Sequence, residues 1–253
     1  MPIKVVITGA TSGIGEALAR EYAKQGATLG LIARRERVLA QLKDSLSTTC
    51  LTYAADVRDA HAMQQAAADF LKRQGCPDVA IANAGISHGT LTEYAQDLES
   101  FEAILDTNVM GMLKTFHPFL AAMCARKQGT LVGVSSISGF RGLPGAGAYS
   151  ASKAAAISYL ESLRVELRDS GVNVLTVCPG YIATPMTANN PYPMPFIISA
   201  EEAARKIIRA IEQNRKFLII PWQMALLGRI FRLLPLGLYD RVLAKMPRKP
   251  RDV

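Results

Sequence analysis

Short apolar, β-branched runs alternate with longer stretches of helical spacing along most of the chain. Lys4–Thr8, Thr28–Ala33, Leu51–Ala55, Asp78–Asn83, Thr130–Val134, Val172–Val177 and Phe217–Ile220 read as strands. Between them, Glu16–Gln25, Glu36–Leu46, Ala62–Gln74, Asp97–Thr107 and Ala151–Arg168 have helical composition. A further helix follows Asn108, with Val109, Met110, Leu113, Phe116 and Leu120 expected to face the core. Ser199-x-x-Glu202 is a capping box that starts another, running to about Gln213. Strands and helices in regular alternation predict an α/β fold around a parallel sheet. Two segments break the rhythm. Pro185–Ile198 carries four prolines and few helix formers, and Trp222–Val253 is leucine-rich on an arginine background.

Composition narrows the class. A chain of 253 residues, 49% hydrophobic, suits one well-filled domain. Cys50, Cys76, Cys124 and Cys178 form no CxxC pair and read as reduced thiols of a cytoplasmic-type compartment. Three scattered histidines offer no metal cluster, so no metal is expected. The N-terminus runs directly into a strand, unlike a secretory signal, and no apolar run of about 18 residues is long enough to span a bilayer. Of the net charge of +8, residues 215–253 hold +7, as nine basic side chains against Asp240 and Asp252. The body is close to neutral. That excludes a protein-wide nucleic-acid surface and marks the C-terminus as special.

The chemistry gathers around Tyr149-Ser-Ala-Ser-Lys153. Residues four apart share a helix face, and an ammonium held there is expected to lower the phenol's pKa from about 10, making it an acid and base at neutral pH. Ser136, at the end of a strand, lies across a loop containing Gly139, Gly142, Gly145 and Gly147 and would join the pair around one substrate oxygen. Gly9-Ala-Thr11-Ser12-Gly13-Ile14-Gly15 sits between a strand and a helix, where glycines admit a pyrophosphate to the helix N-terminus. The second strand ends at Ala33, with no acid to hold ribose hydroxyls, and Arg34-Arg35 follow. Guanidinium groups match a 2′-phosphate; the alternative is that both arginines open a solvated helix turn. Asp56-Val57 closes the third strand, and Asp56 would either bond an adenine amino group or cap the next helix. Asn83, Ala84 and Gly85 fall where a strand end meets a cofactor. Asn108, in a buried helix surface, marks a bend satisfied by water or a proton path. Cys178-Pro179-Gly180 with Tyr181-Ile182-Ala183-Thr184 suits a loop over a ring carboxamide.

These motifs, in order and at matching spacing over roughly residues 3–220, resemble the classical short-chain dehydrogenase/reductase family, of the NADP-preferring type. The resemblance implies a Rossmann-like, doubly wound parallel sheet of about seven strands flanked by helices in a single domain. It implies catalytic Tyr149 as acid/base, Lys153 tuning it and holding the nicotinamide ribose, Ser136 on the substrate oxygen and Asn108 holding a relay water. NADP(H) is the implied cofactor, Arg34 standing where other members carry an acid. A homodimer or homotetramer is implied, formed partly through the tyrosine helix, whose small residues Ala151, Ala154, Ala155 and Ser158 allow close packing.

The expected activity is hydride transfer between NADP(H) and a carbonyl or alcohol of an apolar substrate. The alternatives are a non-catalytic NADP sensor or scaffold, which would not need Tyr149 and Lys153, and an isomerase using the same tyrosine. The catalytic domain is expected to span 1–221, with 185–200 as a lid and Ser138, Phe140, Pro144, Tyr181 and Met186 as substrate-pocket candidates. For the extension 222–253 three readings stand: an amphipathic element on an anionic membrane at its inner, cytoplasmic face, a cover over the cleft or a partner subunit, or a solvated basic end with its own small core.

Overall fold

The computed structural model describes residues 2–251; Met1 of the expected domain and Asp252 and Val253 of the expected extension lie outside the described residues. In chain order the elements are β1 (Lys4–Thr8), α1 (Gly13–Lys24), β2 (Thr28–Ala33), α2 (Glu36–Asp44), β3 (Cys50–Ala54), α3 (Ala60–Gln74), β4 (Val79–Ala82) and α4 (Asp97–Leu105). A π turn (Asp106–Met110), α5 (Gly111–Ala125), β5 (Gly129–Val134), a 3-10 turn (Ile137–Gly139), α6 (Gly147–Glu166) and β6 (Val172–Pro179) follow. The chain ends with β7 (Ile182–Ala183), β8 (Ile198–Ser199), α7 (Ala200–Glu212), β9 (Phe217–Ile220), α8 (Gln223–Leu233) and α9 (Leu236–Leu243).

Seven strands form one parallel sheet in the order β3-β2-β1-β4-β5-β6-β9, while β7 and β8 make a separate two-stranded pair. Strand side chains alternate between faces, and both faces are covered, which is why every residue of β2 and β5 is buried. Val5, Ile7, Leu29 and Leu31 point into one core layer with α1 and α7; Val6, Ile32 and Leu131 point into the other with α3, α5 and α6. Glycine sets the helix approach at two strand positions. A Cβ on Gly30 would lie 2.7 Å from the Phe70 ring, and one on Gly133 2.4 Å from Leu160 Cδ1.

The helix after Asn108 buries Phe116 and packs Leu120 on the core as expected, but its inward face is rotated from the one expected. Met112, Thr115, Phe116, Phe119 and Met123 are buried, whereas Val109, Leu113 and Leu120 are partly exposed and Met110 is exposed. Val109 and Met110 fall inside the π turn, whose wider winding takes them out of the α-helical count that continues through α5. On α6, Ala151, Ala154, Ala155 and Ser158 form an exposed stripe of small side chains.

The C-terminal segment is tied to the body. Met224 and Gly228 of α8 are buried against Gly180 and the Phe140 ring. Arg141 donates to the carbonyls of Phe231 and, at 2.8 Å, Leu234, and its guanidinium lies 3.8 Å over the Tyr239 ring, whose hydroxyl donates to Gly142 O. Arg251 grips both oxygens of buried Asp97 at 2.8–3.1 Å and stacks on Tyr94, while Lys249 Nζ donates to Ser87 Oγ at 2.8 Å. Gly89 N donates to Pro250 O at 2.9 Å. Among the described residues no helix is long and apolar enough to cross a membrane.

Candidate active site

The carboxyl ends of β1, β4, β5 and β6 open into a cleft of about 460 Å³. The strand order reverses between β1 and β4, where a parallel α/β sheet leaves room for a ligand. At one end lies the glycine turn. Gly9 and Gly13 have φ of +68° and +56°, a left-handed region that strains other residues. A Cβ on Gly15 would stand 2.3 Å from Gly9 O and 2.5 Å from Asn83 Nδ2. Asn83 Nδ2 donates to the carbonyls of Thr8 and Gly9 at 3.1 and 3.2 Å, pinning the turn to β4. Ser12 stands at the α1 N-cap without a side-chain capping bond, and Thr11, Ser12, Gly13 and Ile14 line the cleft. The first-turn N–H groups of α1 are therefore left for an anion.

Arg34 and Arg35 also line the cleft but differ in posture. Arg35 Nη2 donates to Thr11 O and Oγ1 at 3.1 and 3.0 Å, so it braces the turn. Arg34 is exposed and forms no ion pair among the described residues. Asp56 receives Arg58 through its backbone and guanidinium at 2.8–3.2 Å, and that bonding holds its carboxyl below the usual range. The cap of α3 is Asp59, which accepts from His61 N and Ala62 N, so the helix-capping alternative for Asp56 falls away.

Ser136, Tyr149 and Lys153 converge at the other end. Tyr149 lies in the first turn of α6, which begins at Gly147, two residues before the start expected at Tyr149. The close approach of the 3-10 turn to α6 depends on Gly139, whose Cβ would lie 2.7 Å from the Lys153 carbonyl carbon. Lys153 is 4% exposed; its Nζ donates to Val134 O at 2.9 Å and lies 5.6 Å from the Tyr149 ring centre, while Ser135 Oγ donates to Lys153 O at 2.8 Å. Burial pushes Lys153 down to about 8. Burial pushes Tyr149 up to about 12, against a lowering by its hydrogen bond with Ser136 and small additions from Tyr192 and Cys178. The ammonium, whose proton is itself disfavoured by burial, is not among the groups that act on the phenol, and desolvation sets the direction opposite to the expected lowering. Cys178, fully buried beside Lys153 and Ser135, is itself pushed up to about 12 by burial.

Asn108 stands in the π turn behind this wall and is buried. Its Oδ1 accepts from Ile86 N at 2.9 Å, and its Nδ2 donates to Ile86 O at 3.0 Å and Ser152 Oγ at 2.9 Å. Ser152 Oγ in turn donates to Tyr149 O at 2.8 Å. The bend is satisfied by protein atoms, so the side chain works as a clamp between the segment after β4 and α6.

Val57, Ala84, Gly85, Pro179, Gly180, Ile182 and Thr184 all line the cleft, and Gly15 packs behind it. Of the substrate-pocket candidates Met186 lines it. Phe140 instead stacks on Phe217 at 6.4 Å and fills the notch at Gly228; Tyr181 packs on Tyr192 at 6.3 Å; Pro144 is exposed; Ser138 N caps onto Ser136 Oγ at 3.1 Å. Sequence reasoning missed Ser152, Tyr192 and Thr187. Thr187 Oγ1 accepts from Thr184 N at 3.1 Å and is 3.3 Å from its hydroxyl. No local pattern announces any of the three, since each matters only through a partner brought by the fold.

Residues 4–193 match the family model described as short chain dehydrogenase. The chain is 38% identical over 238 residues to an uncharacterized oxidoreductase of Myxococcus xanthus, covering 93% of this chain and 94% of that one. It is 33% identical over 269 residues to dehydrogenase/reductase SDR family member 7B of Bos taurus, covering 98% and 82%. The structure of an alcohol dehydrogenase from the archaeon Thermococcus sibiricus, complexed with 5-hydroxy-NADP, superposes with a TM-score of 0.76 at 26% identity, covering 87% of this chain and 96% of that one. The chain belongs to the short-chain dehydrogenase family.

Proposed function

We propose that the protein is an oxidoreductase that uses NADP(H) to interconvert a carbonyl and an alcohol on an apolar substrate, with Tyr149 as the acid/base. The observation that carries this reading is the convergence of Ser136, Tyr149 and Lys153 at one end of a cleft whose other end is the uncapped start of α1. The nucleotide-bearing alcohol dehydrogenase of Thermococcus sibiricus supports the cofactor class.

The fit to a dinucleotide is good on the chain's own terms. The α1 N-terminus and the turn at Gly9–Gly15 would hold its diphosphate, and Arg34, free of the brace that occupies Arg35, would meet a 2′-phosphate. Lys153 and the Pro179–Thr184 loop would hold the nicotinamide half. When bound, such a cofactor gives or accepts the hydride at the substrate carbon. In the reducing direction Tyr149 Oη gives its proton to the substrate oxygen, and burial already keeps the phenol in that donor form. Ser136 Oγ steadies the same oxygen, a contribution of about 3 kcal/mol for a well-placed donor. Asn108 holds Ile86 and Ser152 in place and keeps the wall behind Lys153 polar, where a relayed water would sit.

The test is Tyr149→Phe, assayed with NADPH against a panel of apolar ketones and aldehydes. Turnover should vanish while nucleotide affinity, read by NADPH fluorescence, stays within a fewfold of the parent. A variant that turns over at the parent rate removes Tyr149 from the mechanism.

A further inference from the structure

The helix α8 is amphipathic the wrong way round for a surface helix. Its inward side is set by Met224 and Gly228, packed on Gly180 and Phe140. At about 100° per residue, the side facing away carries Trp222, Leu226, Ile230 and Leu233. All four are exposed, Trp222 at 70% and Leu233 at 83%, and Leu236 continues the surface at 75%. A solvated helix puts polar side chains there.

Two further observations say what such a face fits. The charged groups bordering it are nearly all of one sign: Arg229 and Arg232 line one edge of the apolar stripe, Arg241, Lys245 and Arg248 are exposed beyond it, and Asp240 is the one acid between residues 222 and 251. The face is also fixed in place. Arg141 binds the carbonyls of Phe231 and Leu234, so α8 does not roll its leucines onto the body. No helix among the described residues is suited to cross a bilayer. We propose that the outer face of α8 and its turn into α9 dock on an anionic phospholipid membrane, with the leucines, isoleucine and Trp222 among the upper acyl chains and the arginines at the phosphates. A second copy of the chain is a poorer occupant, because a two-fold contact would bring Arg229 and Arg232 against their own images.

Trp222 is the sole tryptophan, so the protein reports its own docking. The full chain is titrated with vesicles of phosphatidylcholine alone and of phosphatidylcholine with phosphatidylglycerol. Blue-shifted Trp222 emission and co-sedimentation are expected with the anionic vesicles, weakening as salt shortens the screening length. Arg229→Gln with Arg232→Gln should lower the partition constant about thirtyfold, equivalent to about 1 kcal/mol for each guanidinium. Leu226→Glu with Leu233→Glu should abolish binding, with melting temperature and NADPH affinity kept as controls of folding. Failure to bind either vesicle overturns the proposal, as does equal binding to both. So does a drop in solution mass on Leu226→Glu with Leu233→Glu without vesicle binding by the parent, which would assign the face to a second copy.

Discussion

Replacing Lys153 with methionine should separate stability from turnover in a pH-dependent way. Methionine keeps an unbranched side chain, one atom shorter, and removes charge and donor. Burial lowers the lysine from 10.5 to about 8, a drop worth about 3 kcal/mol. The sign follows from proton binding. Between pH 8 and 10.5 the unfolded chain binds the proton and the folded chain does not, so the penalty for burying this lysine is full below pH 8 and fades as pH rises. At pH 7 it is about 3 kcal/mol and at pH 10 about 1 kcal/mol. The bond from Nζ to Val134 O works the other way, and losing it leaves a buried carbonyl unpaired at a cost of about 1–3 kcal/mol. A neutral amine still donates, so this cost is nearly the same at both pH values. Lys153→Met should therefore match or exceed the parent at pH 7 and fall to parity or below at pH 10. Relative to the parent, the change is about 2 kcal/mol, or roughly 5 °C in melting temperature for a chain of this size. Calorimetry of both proteins without nucleotide at the two pH values measures it, with NADPH turnover expected to be lost throughout. A difference in melting temperature that stays constant between pH 7 and 10 would refute the argument that desolvation dominates at Lys153.

Arg34→Ala should weaken NADPH by about tenfold to a hundredfold, the worth of a charge-assisted bond, and leave NADH unaffected; equal loss for both cofactors would deny Arg34 its role at the 2′-phosphate. Asp97→Asn should loosen residues 248–251, seen as faster trypsin cleavage after Arg248. The Arg251 guanidinium, then the Leu91 N–H, hold the Asp97 carboxyl below its usual range, so the stability this clasp contributes is present above the unfolded carboxylate range and lost as pH falls through the depressed value. The melting curves of parent and Asp97→Asn should accordingly converge in acid, and parallel curves would count against the clasp. The exposed stripe on α6 predicts that Ala154→Arg reduces the solution mass measured by light scattering; a parent that is already monomeric would discard that surface.

The sheet was legible because a strand buried on both faces must be apolar throughout, and a glycine turn before a helix announces itself. Phe217–Ile220 has the limits expected of it, and β3 is shifted by one residue at each end. Where the reading slipped, distant partners decide the outcome. The start of α6 at Gly147 precedes the expected Tyr149 by two residues, because glycine there reads locally as loop. Asn108 meets Ile86 22 residues away and Ser152 44 away, so its bond partners carry no sequence signature. Phe140 looked like a pocket residue beside the glycine loop, but the missing side chain at Gly228 draws its ring under α8. The acidity of Tyr149 depends on how dry its surroundings are, and helical spacing does not encode that.

The π turn at Asp106–Met110 has a consequence for how the chain tolerates changes of length. A π turn winds one residue more than an α-helix over the same rise, so α4 and α5 behave as one continuous helix with a single residue spliced into it. The core below, built on Phe116 and Phe119, is in register with that longer count only because the surplus is absorbed locally. The amide clamping Ile86 to Ser152 thus sits in the one stretch where the helix is not dictated by its own winding. A one-residue deletion there would restore a regular helix and keep the hydrophobic phase on either side, while removing the bulge that aims Asn108. Packing and chemistry, elsewhere inseparable in this sheet, are governed here by different residues.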